Sequence, residues 1–267
     1  MNKLRQPPIF QFAGLSFLVD IDKQVLRQTN DNSHEISFIT QMTDRGDHYI
    51  LAFDPGRKRV AEGNFTHDQI EAIIVPPLVA LDPEGMSEKY GVPLDQLAGK
   101  TDFEVIVDQE AVALRNQGVL PRIDIAGEQF TIDLRLQELR NTRHFFPVIS
   151  LKSFELTNDG WYYEAYYHPV MKQVVAIDPK LTEFPEGVIK IKLPNEIGLD
   201  PVATARKYGM NERELLRRYP IQKELKAAVI PLSETHIPSL IQRNRETLRQ
   251  EHRENMQRAK PGLRPKF

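Results

Sequence analysis

The first part of the chain alternates apolar and polar residues in short runs, which is the pattern of half-buried β-strands. The runs FQFAG, LSFLVDI, ISFITQM and DHYILAF fall within residues 10–53. Turn signals containing glycine or proline stand at Ala13-Gly14, Asp44-Arg45-Gly46 and Asp54-Pro55-Gly56. Because such turns join neighbouring antiparallel strands, the pattern predicts a β-meander.

The same kind of pattern returns later as WYYEAYYHP at residues 161–169. Strand alternation places its side chains on two opposite faces. The face predicted to point into the core carries Trp161, Tyr163, Ala165 and Tyr167, which match Tyr49, Leu51 and Phe53 of the first meander. The opposite face carries Tyr162, Glu164, Tyr166 and His168.

Two similar phrases, LDPEGMSEKYGV at residues 81–92 and LDPVATARKYGM at residues 199–210, predict short capped helices. Their aspartate suits an N-cap, their proline the first helical position, and their glycine a left-handed C-terminal stop. A further helix is predicted between Asn211, which can cap it, and Pro220, which ends it. A helical hairpin is therefore expected after the later strand region.

Sliding the chain against itself extends this similarity over most of its length. AGLSFLVD aligns with AGEQFTID, and the offset grows only from 113 to 118 residues by the end of the two KYG phrases. Matches that keep their order over such a length predict a tandem duplication of a small domain. The predicted fold is α+β, a duplicated β-meander plus helical hairpin, with copies at residues 1–115 and 116–232 and a basic C-terminal helix and tail at residues 233–267.

Charge is distributed unevenly, although the whole chain is nearly neutral. Residues 201–267 contain 15 Lys/Arg and 7 Asp/Glu, whereas residues 1–200 contain 20 and 30. The C-terminal helix has only a thin apolar stripe of Ile241, Leu248 and Met256, too little to bury one face firmly. Such a helix is loosely docked, extended into solvent, or completed by a partner.

The basic residues of this C-terminal third are the candidate contacts to an anionic partner, nucleic acid first and an acidic protein surface second. The candidates on the C-terminal helix are Arg243, Arg245, Arg249, Arg253 and Arg258. A second group, after Asn211, consists of Arg213, Arg217 and Arg218. The hairpin that carries the second group has the spacing of a helix-turn-helix DNA reader, which any glycine-closed helical hairpin packed on its own sheet also has.

The tyrosine-rich strand offers a second candidate site. Tyr162, Tyr166 and His168 around Glu164 form a candidate platform on which a base or a sugar could stack. Tyrosines at strand spacing also commonly form half-buried sheet surface whose hydroxyls reach water. The sequence leaves both interpretations open.

Several classes of chemistry lack their sequence marks. The chain has no cysteine, which excludes disulfides and thiolate chemistry, and its seven histidines lack close metal-ligand spacing. Nucleophile-elbow, P-loop and dinucleotide motifs are also missing, so we predict no metal and no cofactor. Neither a signal peptide nor a membrane span of ~20 apolar residues is found, so a cytoplasmic location without membrane association is expected.

These patterns favour a non-enzymatic binding or adaptor protein that engages an anionic partner, nucleic acid first, through its basic C-terminal third. One alternative is a scaffold for protein–protein interaction. Another is an enzyme with a cleft between the two copies that uses carboxylates and the Tyr/His strand. The oligomeric state, and the choice between DNA, RNA and an acidic protein, are left open.

Overall fold

The computed structural model has a mixed helix and strand architecture, with several small sheets and a C-terminal helix. This agrees with the predicted α+β class. No helix in the part of the chain that the structure describes is long and apolar enough to cross a membrane. The described residues are 5–61, 70–144, 146–222 and 224–258.

The elements of the described residues have the following bounds. The strands are β1 Ile9–Phe12, β2 Leu15–Asp20, β3 Val25–Gln28, β4 Glu35–Ser37, β5 Thr43–Asp44, β6 Tyr49–Asp54, β7 Arg59–Val60, β8 Glu71–Val75, β9 Arg122–Ile125, β10 Glu128–Asp133, β11 Glu138–Asn141, β12 Val148–Ser150, β13 Glu155–Leu156, β14 Tyr162–His168, β15 Gln173–Val174, β16 Ile189–Pro194, β17 Leu225–Lys226 and β18 Ala228–Ile230. The α-helices are α1 Leu78–Leu81, α2 Pro83–Tyr90, α3 Asp102–Ile106, α4 Gln109–Asn116, α5 Glu196–Leu199, α6 Pro201–Tyr208, α7 Glu212–Arg218 and α8 Ile237–Arg258.

The chain forms two compact units, neither of which is one continuous segment. The first unit combines Met1–Gln117 with Ala205–Ile221, and the second combines Gly118–Thr204 with Gln222–Phe267. The sequence-based division placed residues 205–221 in the second copy, whereas these residues pack with the first unit. The C-terminal helix, predicted as a separate segment, is grouped with the second unit.

The first unit contains two antiparallel sheets. Strands β1 to β4 form a meander in chain order, and β6 is the central strand of the other sheet, where it pairs with β5, β7 and β8. Tyr49, Leu51 and Phe53 on β6 are fully buried, which confirms the predicted core face. The ring of Tyr49 packs edge-on against that of Phe38 at 5.1 Å between centroids.

The second unit repeats the same strand connections. Strands β9 to β12 form a meander, to which β17 adds in parallel beside β9. In the other sheet β14 is central and pairs with β13, β15 and β16, while β18 extends the sheet from β16. The sheet of β14 therefore has the connections of the sheet of β6, with one added strand.

The two faces of β14 agree with the alternation except at one position. Ala165 and Tyr167 are buried, and Tyr163 is half-buried against the same core. Trp161 is 46% exposed, so its predicted place in the core is wrong. The reason is that β14 begins only at Tyr162: the Trp161 amide donates to the Asp159 carboxylate at 3.0 Å and belongs to the preceding turn.

Unusual backbone conformations recur at matching places in the two units. Ala13, Gln24 and Lys58 have φ of +48°, +55° and +54°, and the aligned Ala126, Gln137 and Lys172 have φ of +53°, +57° and +53°. Residues other than glycine seldom adopt this left-handed conformation, so three matched pairs indicate equivalent turns. The turns at Gly14 and Gly127 are likewise left-handed.

The capped helices form as predicted. Asp82 accepts from the amide of Gly85 at 3.0 Å, and α2 ends at Gly91, where φ is +67°. Asp200 does the same for α6, accepting from the amide of Ala203, and Gly209 follows the helix with φ of +64°. Helix α7 is capped by Asn211, whose side-chain oxygen accepts from the backbone amide of Glu214, as the capping pattern predicts.

Candidate functional site

The C-terminal helix α8 is anchored to the second unit by its first turns. Ile237 and Ile241 are buried in a small apolar cluster of that unit. One turn further on, the Asn244 amide donates to the carbonyls of Pro179 and Leu181, each at 2.8 Å. The sequence pattern undervalued this contact because its apolar stripe contained Ile241 but not Ile237. The start of α8 is therefore fixed on the second unit.

Beyond this anchor, α8 extends into solvent. Every side chain from Arg245 to Gln257 is exposed, and Leu248 and Met256 are 53% and 59% exposed. Two isolated apolar side chains are too few to bury one side of a helix. Among the described residues, the packing that holds α8 is therefore concentrated in its first turns.

Three of the predicted arginines form a stripe along α8. Arg245, Arg249 and Arg253 are four residues apart, so they lie on one side of the helix, about 6 Å apart along its axis. Among the described residues, no carboxylate forms an ion pair with any of them. Like charges at this spacing destabilise a helix by about 0.2–0.5 kcal/mol per pair, so a bound anion would relieve the repulsion. We call these three residues the arginine stripe.

The arginine stripe is held at its first member. The Arg245 Nε donates to the carbonyl of Thr182 at 2.6 Å, which directs this side chain along the surface of the second unit. At 100° per residue, Glu251 and Glu254 project away from the stripe, whereas Glu246 lies beside Arg249 on the stripe side. The Glu246 carboxylate accepts from the Gln242 amide at 3.1 Å and forms no ion pair with the stripe. The helix therefore presents one side rich in positive charge even though its composition is mixed.

The other two predicted arginines of α8 lie outside the stripe. Arg243 is exposed and forms no ion pair with a described residue. Arg258 ends the helix, and its side chain lies outside the described residues.

The second predicted group lies on α7, in the first unit, and its members differ in exposure. Arg217 is only 3% exposed, its guanidinium centre lies 4.7 Å from the Tyr49 ring centre, and its nitrogens are within 3.5–3.7 Å of Asp44 and Asp102. Arg213 lies half-exposed over the Phe103 ring at 4.5 Å. Arg218 is exposed. Of this group, only Arg213 and Arg218 present their charge at the surface.

Arg217 is part of a buried polar cluster in the first unit. Asp102 accepts from the Tyr49 hydroxyl at 2.6 Å and from the amides of Leu78 and Val79, each at 2.9 Å. Burial, and next the negative charge of Asp102, raise the pKa of Tyr49. Arg217 neutralises a carboxylate that would otherwise be buried without a counter-charge. Its placement gives it a structural role in holding α7.

The outer face of β14 carries the four residues predicted as a stacking platform. Tyr162 lies under the Lys192 ammonium, 4.1 Å from the ring centre, and Glu164 pairs with Lys190 at 2.5 Å. Both contacts are diagonal cross-strand pairs. In the β14–β16 register Lys192 lies opposite Glu164 and Lys190 lies opposite Tyr166, so each lysine reaches the residue two positions before its direct partner on β14. The platform is therefore interleaved with two lysines that sequence reasoning did not select.

Two of these four residues, Glu164 and Tyr166, line an open cavity of about 670 Å³ in the second unit. The Tyr166 hydroxyl is 3.3 Å from Nδ1 of His236, which directly precedes α8. Glu155, paired opposite Glu164 across β13 and β14, also lines the cavity, and so does Lys190. Tyr162 and His168 do not belong to its lining. A cavity of this size with a few convergent polar groups suits a small polar ligand.

Sequence reasoning also missed a second cavity, which is lined by residues of the segment from Glu138 to Val148. A signal for it is present, because RNTRHFF at residues 140–146 interleaves basic and aromatic side chains. That composition is typical of surfaces that contact single-stranded nucleic acid.

Comparison with known proteins gives no relative for this chain. It matches no protein-family model, and no curated protein or solved structure resembles it at a significant level. Its function is therefore inferred from the geometry and charge of its own residues.

Proposed function

We propose that this chain is a non-enzymatic nucleic-acid-binding protein in which α8 contacts the phosphates. The observation that carries the proposal is the arginine stripe: three exposed arginines on one side of a helix, without carboxylate partners among the described residues. Arginine suits this role because its planar guanidinium forms paired hydrogen bonds with phosphate oxygens. Arg243 and Arg258 lie outside the stripe and are expected to add only general positive charge to α8.

The anchor of α8 supports the proposal in a second way. Ile237 and Ile241 fix the start of the helix, and the Thr182 carbonyl fixes Arg245. Side chains held in place lose less conformational entropy on binding than those of a mobile tail. Contacts to phosphates carry no base identity, so binding through the stripe is expected to be independent of sequence.

Fluorescence anisotropy with labelled oligonucleotides tests the proposal. If the stripe contributes three phosphate contacts, its share of the affinity falls about 20- to 40-fold between 50 and 200 mM salt. The triple variant Arg245→Gln, Arg249→Gln, Arg253→Gln should lower the slope of log affinity against log salt by about two to three. The triple variant Arg45→Gln, Arg57→Gln, Arg59→Gln is the control, since it removes the same charge from exposed positions of the first unit.

Two results would contradict this function. The first is full-length protein that shows no salt-sensitive binding to DNA or RNA at low ionic strength. The second is an equal loss of binding in both triple variants, which would reduce the effect to net charge. In either case α8 is better interpreted as a protein-docking helix, with Leu248 and Met256 as its exposed contact residues, because Ile241 is already buried.

An enzyme is the second candidate, supported by the cavity of β14. Two carboxylates, Glu155 and Glu164, face each other across neighbouring strands beside Tyr166. Paired carboxylates in a cavity can serve as acid and base. The two functions separate in one variant, because Glu164→Gln would leave binding by the arginine stripe unchanged and abolish any turnover in the cavity.

We also infer that the two units derive from one duplicated α+β sequence. Two observations support this origin: the matching strand connections, and the three aligned pairs of non-glycine residues that share a left-handed backbone conformation. Helix α7, which belongs to the second copy in sequence, packs beside α3 of the first unit. In this contact Arg213 of α7 lies over the Phe103 ring of α3. Superposition of an experimental structure of each unit tests the inference, and different strand orders would overturn it.

A further inference from the structure

The cavity between residues 138 and 148 combines positive charge with an exposed aromatic ring. Its volume is about 500 Å³, and its walls include Arg140, Arg143, His144 and Phe146. Phe146 is 77% exposed, far more than is usual for a phenylalanine of a folded unit. Glu138 is the one carboxylate in the described lining, and it pairs with Arg140 at 2.9 Å.

The backbone beside this cavity is held in place. Asn141 is buried, and its side-chain oxygen accepts from the amides of Arg143 and His144 at 2.9 and 3.0 Å. Its amide nitrogen donates to Glu128, which in turn pairs with Lys172 at 3.0 Å. The loop thus leaves the end of β11 through a hydrogen-bonded turn, which fixes the backbone of Arg143 and His144 before any ligand arrives.

We propose that this cavity binds one nucleotide unit of a single-stranded nucleic acid, with the base stacked on Phe146 and the phosphate beside Arg143. Stacking accounts for the exposed ring, because every base offers a flat face to an aromatic side chain. Arg143 is exposed and forms no ion pair within 4 Å with a described residue, although its charge, after that of Lys172, helps to lower the pKa of the Glu128 carboxyl group. Its guanidinium can therefore contact a phosphate. Bases of a duplex are paired and stacked on each other, so only a single strand can supply a base to this ring.

This proposal rests on nucleic acid as the partner and adds the kind of strand that is recognised. The arginine stripe supplies contacts to phosphate alone, which do not separate single from double strands. The Phe146 cavity supplies the discrimination. A free mononucleotide offers the same chemistry without neighbouring phosphates, so it is expected to bind more weakly than an oligonucleotide.

The first test measures anisotropy with a 12-nucleotide single strand, a duplex of the same sequence and a mononucleotide competitor. Phe146→Ala is expected to weaken single-strand binding about 5- to 150-fold and to leave duplex binding unchanged. Val170→Ala is the matched control, because Val170 is also an exposed apolar residue of the second unit. Arg143→Gln should lower the salt slope by about one, whereas Arg122→Gln, at another exposed position, should not.

The second test gives a spectroscopic signal for stacking. In a Trp161→Phe background, Phe146→Trp leaves one tryptophan in the chain, placed in the cavity. Its fluorescence should be quenched by the single strand and not by the duplex, because quenching requires a base in contact with the ring.

The outcomes separate this proposal from the proposed function. If Phe146→Ala binds the single strand as tightly as the unchanged protein and the tryptophan is not quenched, the cavity proposal is overturned while the arginine stripe stands. If Phe146→Ala loses single-strand binding and the stripe variant does not, the cavity stands and the stripe is overturned. Equal or tighter binding of the duplex by the unchanged protein also overturns the cavity proposal.

Discussion

The Arg217 guanidinium lies 4.7 Å from the centre of the Tyr49 ring, although the two residues are separated by most of the chain. Tyr49 is on β6, the central strand of one sheet of the first unit. Arg217 is on α7, which follows most of the strands of the second unit in the chain. Asp102 joins them, since it accepts from the Tyr49 hydroxyl and faces the Arg217 cation. The core of the first unit is thus completed by a late segment of the sequence.

Truncating Arg217 is expected to unfold the first unit more easily. Arg217→Ala leaves Asp102 buried without its counter-charge, so the free energy of unfolding should fall by about 3–5 kcal/mol. Urea denaturation measures this loss. Arg218→Ala, one residue further along the exposed side of α7, should change stability by less than about 0.5 kcal/mol. Equal small effects at both positions would show that the buried cluster contributes little.

Equivalent tyrosines of the two units should contribute unequally to stability. Tyr49 is fully buried, whereas Tyr163 is half-buried against its own core. Tyr49→Ala should therefore cost about 3–5 kcal/mol and Tyr163→Ala about 2 kcal/mol. Chemical denaturation of the two variants checks the order. An unchanged stability of Tyr163→Ala would mean that this ring faces solvent.

Removal of the Tyr167 hydroxyl is expected to stabilise the protein. It is buried and has no hydrogen-bond partner among the described residues. Because an unsatisfied buried hydroxyl is costly, Tyr167→Phe should raise the free energy of unfolding by about 1 kcal/mol at pH 7. Tyr162→Phe on the exposed face should leave it unchanged. A loss of stability in Tyr167→Phe would point to a partner, such as a bound water, that the hydroxyl needs.

The same residue predicts a stability loss at high pH. Burial, and next the charge of Glu128, raise the pKa of Tyr167 to about 12, compared with about 10 in an unfolded chain. The folded state therefore holds this proton more tightly, and the resulting stability is constant below about pH 10 and lost as the pH rises toward 12. Denaturation between pH 9 and 12 should show a shallower loss in Tyr167→Phe. An identical pH profile in the two proteins would contradict the raised pKa.

Two truncations should separate the anchor of α8 from its binding half. Removal of residues 246–267 keeps Ile237, Ile241 and Asn244, so the melting temperature should stay the same while duplex binding, which depends on the arginine stripe, is strongly weakened. Removal of residues 237–267 also strips the apolar cluster around Tyr166 and should lower the melting temperature by several degrees. If the shorter truncation also destabilises the protein, the distal half of α8 has a packing role.

Local patterns predicted the parts of the fold that depend on local physics. Alternation identified β6 and β14 with their core faces, and the aspartate, proline and glycine signals identified α2 and α6. Strand β3 was missed because VLRQ is short and half polar, and β17 was missed because it has only two residues. The amphipathic pattern that makes α7 a helix does not state which sheet it packs against, since any apolar surface satisfies it.

The same limit applies to the candidate site. Arginine is normally exposed, so a sequence pattern assigns Arg217 to the surface, and only the tertiary contacts with Asp44 and Asp102 reverse that assignment. Arg245, Arg249 and Arg253 share a helix side by simple periodicity, so the sequence could select them as candidates, and their role in binding stays a prediction. Lys190 and His236 reach the cavity of β14 through strand pairing and the start of α8, which no local pattern encodes.

The division of the first unit between Met1–Gln117 and Ala205–Ile221 has a consequence for how the protein is made. A ribosome releases the chain in order, and at about 5–20 residues per second the segment that carries Arg217 follows residue 117 by on the order of 5–20 s. During that interval the nascent first unit has Asp102 without its cation and the contact surface of α7 uncovered. Folding of the second unit is delayed in the same way, since its strands β17 and β18 are synthesised after α7. Vectorial synthesis therefore makes both units finish late and nearly together, and a chain cut before residue 221 would leave each of them incomplete.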